Sequence, residues 1–247
     1  LAGAGTARAA LINVTYVGPS SGMWTTSGNW SPVGVPNNGA NTYNVLIDGT
    51  ATDLLVNLTG TQTISGLTVD AGDGIAIANS ARLHLRNDGS ASFTNNGVIA
   101  VVSSGGNTYL QPLQGPVTLL GNGEITLTDS PNNWIYRGDT NGFLINGASH
   151  TIRGAGNIGW SGIPTAFTND GAVLAEGVNP LIVDCSAGVT NTGLMQASAG
   201  TLRIQGSGTL DNSIGVIEAL DGQAVELGGS VTVTGGELTS AGTGVIR

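Results

Sequence analysis

The chain contains no lysine, a single cysteine and few charged residues, which make up 9% of its 247 positions. One cysteine, Cys185, excludes an intrachain disulfide and a thiolate metal cluster. Without lysine, seven arginines face sixteen acidic residues, giving a net charge of −9 at pH 7. Such a surface repels phosphate backbones, so nucleic-acid binding is not expected. Apolar runs are only a few residues long, so membrane insertion through a long apolar segment is not expected either. Low charge does not here mean disorder, which pairs high charge with few aliphatic residues. Hydrophobic residues make up 40% of the chain and mean hydropathy is +0.17, enough for a sizeable core. What is abundant is glycine, with 41 residues. They do not fall at every third position, which excludes a collagen helix. The remaining class is an all-β protein of many short strands and tight turns.

Alignment of the chain against itself is the most informative step. Asn169-Asp170-Gly171-Ala172-Val173-Leu174-Ala175 recurs as Asn191-Thr192-Gly193-Leu194-Met195-Gln196-Ala197. It returns with one insertion as Asn212-Ser213-Ile214-Gly215-Val216-Ile217-Glu218-Ala219, and Asn95-Asn96-Gly97-Val98-Ile99-Ala100 is an earlier copy. Each unit holds a second alternating strand, such as Leu181-Ile182-Val183, Leu202-Arg203-Ile204 and Val225-Glu226-Leu227, with Ile75-Ala76-Ile77 and Leu83-His84-Leu85 assigned to the same type. A third follows, as in Gly188-Val189-Thr190-Asn191. Three strands per repeat of about twenty-two residues describe one coil of a parallel β-helix. Alternation buries one face of each strand, and coils stacked about 4.8 Å apart share one core. Glycine and asparagine at the corners are expected to supply the φ > 0 conformations of sharp turns. The expected fold is an all-β, right-handed parallel β-helix of about ten coils, the handedness following from parallel crossover connections.

The middle third is less regular. Gly121-Asn122-Gly123-Glu124-Ile125 and Ile152-Arg153-Gly154-Ala155-Gly156 read as coil segments about 33 residues apart, so a looped-out coil is expected near 128–165. The predicted organisation is an apolar extension at 1–12, a capping region at 13–49 and a solenoid at 50–247. A start at Leu1 instead of Met suggests a processed N-terminus, and the last residues stop within a coil without a cap.

The order of Gly28-Asn29-Trp30-Ser31-Pro32, Gly34-Val35-Pro36-Asn37-Asn38 and the strand Tyr43-Asn44-Val45-Leu46-Ile47 resembles the N-terminal part of large secreted bacterial β-helix proteins. The Gly-Ala-Gly-Asn-Ile-Gly and Asn-x-Gly-x-Ile-x-Ala phrases resemble autotransporter-passenger and haemagglutinin-like surface proteins. The resemblance runs from Tyr16 to Val245. It implies an extracellular or bacterial cell-surface location and a capping role for the region holding Trp24 and Trp30. It says little about activity, because such proteins serve many ends.

Three functions are weighed. The first is a non-enzymatic structural or adhesive β-helix that self-assembles head to tail into a filament or stalk. Its candidate subunit contacts are Leu11 and Ile12 at one end and Leu238, Val245 and Ile246 at the other, since unlike ends that meet do not close a ring. The second is a module for cell-surface glycans, using Trp24, Trp30, Trp134 or Trp160. The third is a degenerate polysaccharide lyase or hydrolase. Catalysis of that kind needs converging carboxylates, whereas Asp170, Asp211 and Asp221 sit at expected corners and no Asp-Asp pair occurs. His84 and His150 are expected on outer strand faces, and Cys185 at a buried strand end. The chain is therefore expected not to be an enzyme and to need neither cofactor nor metal.

Overall fold

A computed structural model describes residues 9–49 and 53–247. Most of the apolar extension expected at 1–12 thus lies outside the described residues. The chain forms a parallel β-solenoid of about nine turns, one fewer than the ten expected. Its strands alternate inward and outward residues, and the inward ones are buried with few exceptions until the last coil. Each complete coil contributes one strand to each of three faces.

The first face is a sheet of eleven strands, and the second and third faces together form one of seventeen. The latter two join because Glu124–Ile135 and Thr151–Gly159 each run across both. In the later coils the pattern is plain. Val189–Asn191 lies on the first face, Leu194–Ala199 on the second and Thr201–Gln205 on the third. Ile75-Ala76-Ile77 pairs with Val98–Val101 on the second face, not with the third-face strands to which its alternation assigned it. Period-2 alternation is identical on all faces, so only the pairing partner tells them apart.

Register holds like residues in columns along the axis. Ile75, Ile99, Ile125, Ile152, Val173 and Met195 stand directly one above another on the second face. All six are fully buried. One coil cannot bury this row alone, so each coil takes its stability from its neighbours.

The repeat glycines owe their place to close approach, not to turn conformation. Gly171, Gly193 and Gly215 do not have left-handed backbones. A Cβ on them would fall 2.1, 2.0 and 2.4 Å from backbone oxygens of the preceding coil. Gly154 and Gly156, with φ of +116° and +138°, do need the glycine conformation, and they bend Thr151–Gly159 from the second face onto the third.

The middle coils absorb their extra residues without a looped-out coil. Ile125 and Ile152 are direct register partners, so these coils are 27 positions long against 22 for Asn169 to Asn191. The earlier spacing of 33 aligned segments that are not structural equivalents. The surplus sits in an irregularity around Asp129 and in the turn after Tyr136. Asp129 accepts bonds from the backbone N–H groups of Val178 and Asn179, at 3.0 and 2.8 Å, fifty positions downstream.

At the N-terminal end, Leu11–Tyr16 pairs in parallel with Thr42–Ile47, so the expected boundary at residue 12 falls inside a first-face strand. Trp30–Ser31 returns antiparallel along Leu11–Tyr16 and covers part of its free edge. Trp24 and Trp30 are fully buried there, 4.8 Å apart by ring centroids. Trp30 Nε1 donates to Trp24 O and Trp24 Nε1 to Pro36 O, so both indole N–H groups are satisfied.

Candidate functional site

Two features depart from plain scaffold, one inside the solenoid and one outside. The inner one is a column of buried asparagines at the corner between the first and second faces. Asn146 Nδ2 donates to Asn169 Oδ1, Asn169 Nδ2 to Asn191 Oδ1 and Asn191 Nδ2 to Asn212 Oδ1, at 2.7–2.8 Å. Each amide also donates to a backbone carbonyl at the start of a second-face strand. Four otherwise unmatched corners are thereby satisfied.

The column is interrupted where the corner reads Leu120-Gly121-Asn122, and His150 fills the gap. Its Nδ1 lies 2.8 Å from Asn146 Oδ1 and its Nε2 3.0 Å from Asn95 Nδ2. A neutral ring with the proton on Nδ1 fits both contacts. Burial lowers its pKa to about 4, and a second proton would point at the Asn95 amide donor. His150 is thus an interior rung, contrary to the outer-face position expected for it. His84 is on the outer face, between Thr63 Oγ1 at 3.2 Å and Gln111 Oε1 at 3.1 Å. Burial lowers its pKa, Gln111 opposes that shift, and Arg82 adds to it.

The outer feature is a cluster of four aromatic rings on the third face. Tyr109 and Trp134 are register partners in adjacent coils. Tyr136, two positions after Trp134, points to the same side. Trp160 follows at the corner of the next coil, where it forms a short bridge with Ile163. Neighbouring centroids are 5.9–6.4 Å apart and the rings stand edge to face. They enclose, with Asn107, a pocket of about 160 Å³. Asn107 Oδ1 accepts from Trp134 Nε1 at 3.2 Å, so the polar edge of this indole is fixed. Trp160 remains 44% exposed. Burial raises the Tyr136 phenol above its ordinary pKa, with Tyr109 reinforcing and Arg82 and Gln111 opposing. The Arg82 guanidinium lies 4.2 Å above the Tyr109 ring.

The four tryptophans of the sequence therefore separate. Trp134 and Trp160 meet in the pocket, while Trp24 and Trp30 are enclosed where no ligand ring can stack. Tyr109, Tyr136 and Asn107 were not singled out from sequence. The signal that could have found them is the outward position of Tyr109, Trp134 and Tyr136 once register is known.

The expected subunit contacts occupy the two ends. Ile12 packs partly against the core and Leu11 is half exposed. Leu238 and Val245 are 44% and 42% exposed in the last coil, with Ile246 partly buried. Cys185 is buried beside Ile158 O, and burial pushes its thiol pKa well up, which makes it an inert core group. Asp170, Asp211 and Asp221 bond to Thr192, Ser213 and Thr243 at corners. Among the described residues no group of three or more His, Cys, Asp or Glu is placed to hold a metal ion.

Fold and site together define a parallel β-solenoid with an aromatic pocket on one flank. No family model, no curated protein and no solved structure matches the chain.

Proposed function

We propose that this protein is a non-enzymatic adhesive β-solenoid of the bacterial cell surface that holds saccharide chains at its aromatic pocket. The observation that carries the reading is the convergence of Tyr109, Trp134, Tyr136 and Trp160 on the outside of the solenoid. Aromatic residues are scarce here, at 4% of the chain. Four of them at one outer site, away from the core that would otherwise use them, need a function beyond packing. Ring faces stack on the C–H faces of sugars, while Asn107 and the indole and phenol groups offer polar partners. A volume of about 160 Å³ lies below the roughly 300–1,000 Å³ of pockets that enclose a whole small molecule. It suits one ring of a longer chain lying across the coils.

An aromatic box also suggests a quaternary ammonium ligand. Arg82 disfavours it, because its guanidinium already occupies the Tyr109 ring and repels a second cation. The test is a titration of the whole chain, by tryptophan fluorescence, with a panel of soluble polysaccharides and with choline. At least one polysaccharide should bind, and Trp134→Ala should abolish that binding. Absence of binding to every polysaccharide, or binding indifferent to Trp134→Ala, would overturn the reading.

Head-to-tail self-association remains a second reading, carried by the exposed Leu238 and Val245 on the last coil. Sedimentation at rising concentration tests it. A monomer throughout removes it, and Val245→Asp should dissolve any oligomer that forms.

A further inference from the structure

We infer that the ligand of the aromatic pocket is an anionic saccharide, bearing carboxylate or sulfate groups that meet Arg82 and Arg137. The inference rests on the saccharide reading above and adds the charge of the chain that binds.

The arginines divide by the partners they hold. Arg153, Arg203 and Arg247 each lie within ion-pair distance of a glutamate. The other arginines of the described residues are Arg82, Arg86 and Arg137, and none of these three forms an ion pair with a described carboxylate. All three lie on, or just after, third-face strands. Arg82 is the register partner of Tyr109 and sits over its ring. Arg86 is on the same strand and bonds Gln114. Arg137 follows Tyr136 directly, donates to Thr140 O, and leaves its buried Nε without a partner.

Arg137 also lines a second depression of about 260 Å³ with Gly138, Asp139, Thr140 and Ile163. This depression adjoins the first, because Ile163 bridges to Trp160. Two adjoining hollows, one with Arg82 over its Tyr109 wall and one lined by Arg137, fit successive rings of an acidic chain. Asp139 is the carboxylate within this region, and its oxygens already accept from the backbone N–H groups of Gln114, Asn141 and Gly142. Asp88, near Arg86 in sequence, accepts from Ser65 and Ser90.

The whole-molecule charge sharpens the point. At −9 the protein repels polyanions in general. Attraction of one must come from a local concentration of unpaired guanidinium groups, whose planar donor pairs match carboxylate and sulfate oxygens.

The experiment compares polygalacturonate, dextran sulfate and uncharged dextran on the full chain at low and high salt. One or both charged polymers should bind at least tenfold tighter than dextran at low salt, with the advantage shrinking as salt rises. The stronger of the two identifies carboxylate or sulfate as the preferred group. Arg82→Gln and Arg137→Gln should each weaken that binding at least fivefold, with thermal unfolding unchanged. Equal binding of dextran, or no response to either substitution while Trp134→Ala abolishes binding, overturns the inference and leaves the saccharide reading standing. If none of the three polymers binds, the inference fails, and the wider polysaccharide panel decides whether the saccharide reading fails with it.

Discussion

The coils between Asn169 and Glu226 and those between Arg82 and Trp160 enclose the same kind of core but differ in their outer surfaces. In the C-terminal group the repeat is 21–23 positions, the asparagine column is unbroken, and outward positions carry ion pairs such as Arg203–Glu226 at 2.8 Å. In the middle group the repeat stretches to 27 positions, the column breaks, and outward positions carry, besides the Arg153–Glu124 pair, aromatic rings and three arginines without an ion pair. The core tolerates the longer repeat because surplus residues leave at corners without disturbing the inward columns. Regular coils therefore report stability, and irregular coils report where the surface is free to do something else.

Breaking the column in the regular group should have the largest effect on stability. Asn169→Ala removes the acceptor of Asn146 and the donors to Asn191 and Leu194 O, in a site closed to water. A lost hydrogen bond costs about 1 kcal/mol, and each buried group left unsatisfied about 1–3 more. A loss of about 3–4 kcal/mol is expected in denaturant unfolding. A change below about 1 kcal/mol would show that the asparagines are decoration.

The interruption in the middle group should make stability depend on acid. His150 is neutral when folded, with a pKa lowered to about 4, and ionises near 6.5 when unfolded. Above the unfolded value neither state binds the proton and the residue contributes no pH dependence. Between about 6.5 and 4 only the unfolded state binds it, so stability falls as pH falls, by about 3 kcal/mol in all. Below about 4 both states bind it and the decline from this residue ends. The groups facing the ring are the uncharged Asn95 and Asn146. His150→Gln should flatten unfolding free energy across that window relative to the parent. An unchanged slope would place the acid sensitivity elsewhere.

This contrast also explains what could be read from sequence. The repeat of Asn169, Asn191 and Asn212 with its glycines was visible because close backbone approach and a satisfied corner recur every coil. So was the strand alternation that gives the parallel solenoid. Substitution of His150 for a missing asparagine was not visible, because its partners Asn95 and Asn146 stand 55 and 4 positions away. Face assignment failed for Ile75-Ala76-Ile77 for a related reason, since only register separates faces with the same period. Trp134 and Trp160 were marked as ligand contacts by residue type alone, which marked the buried Trp24 and Trp30 equally. Burial, a long-range property, made the distinction.

Surface changes should have small effects on stability in both groups but divide them by function. Arg203→Gln, in the C-terminal group, removes the contacts to Glu226 between side chains that are partly exposed. Exposed pairs contribute about 0–1 kcal/mol, so unfolding should shift by less than about 1 kcal/mol and less still in salt. Trp160→Ala, at a ring already 44% exposed, should likewise change stability by about 0.5 kcal/mol or less. Yet Trp160 meets both Trp134 and Tyr136 and closes one wall of the pocket. Its loss should weaken saccharide binding at least tenfold, whereas Arg203→Gln should leave binding unchanged. Paired unfolding and binding titrations of the two variants check this. Equal stability with unequal binding would establish that the middle coils carry the function. Equal binding would mean the aromatic cluster only shields the long coils from water. The two variants thus probe one solenoid flank at which the same low stability cost accompanies different chemistry.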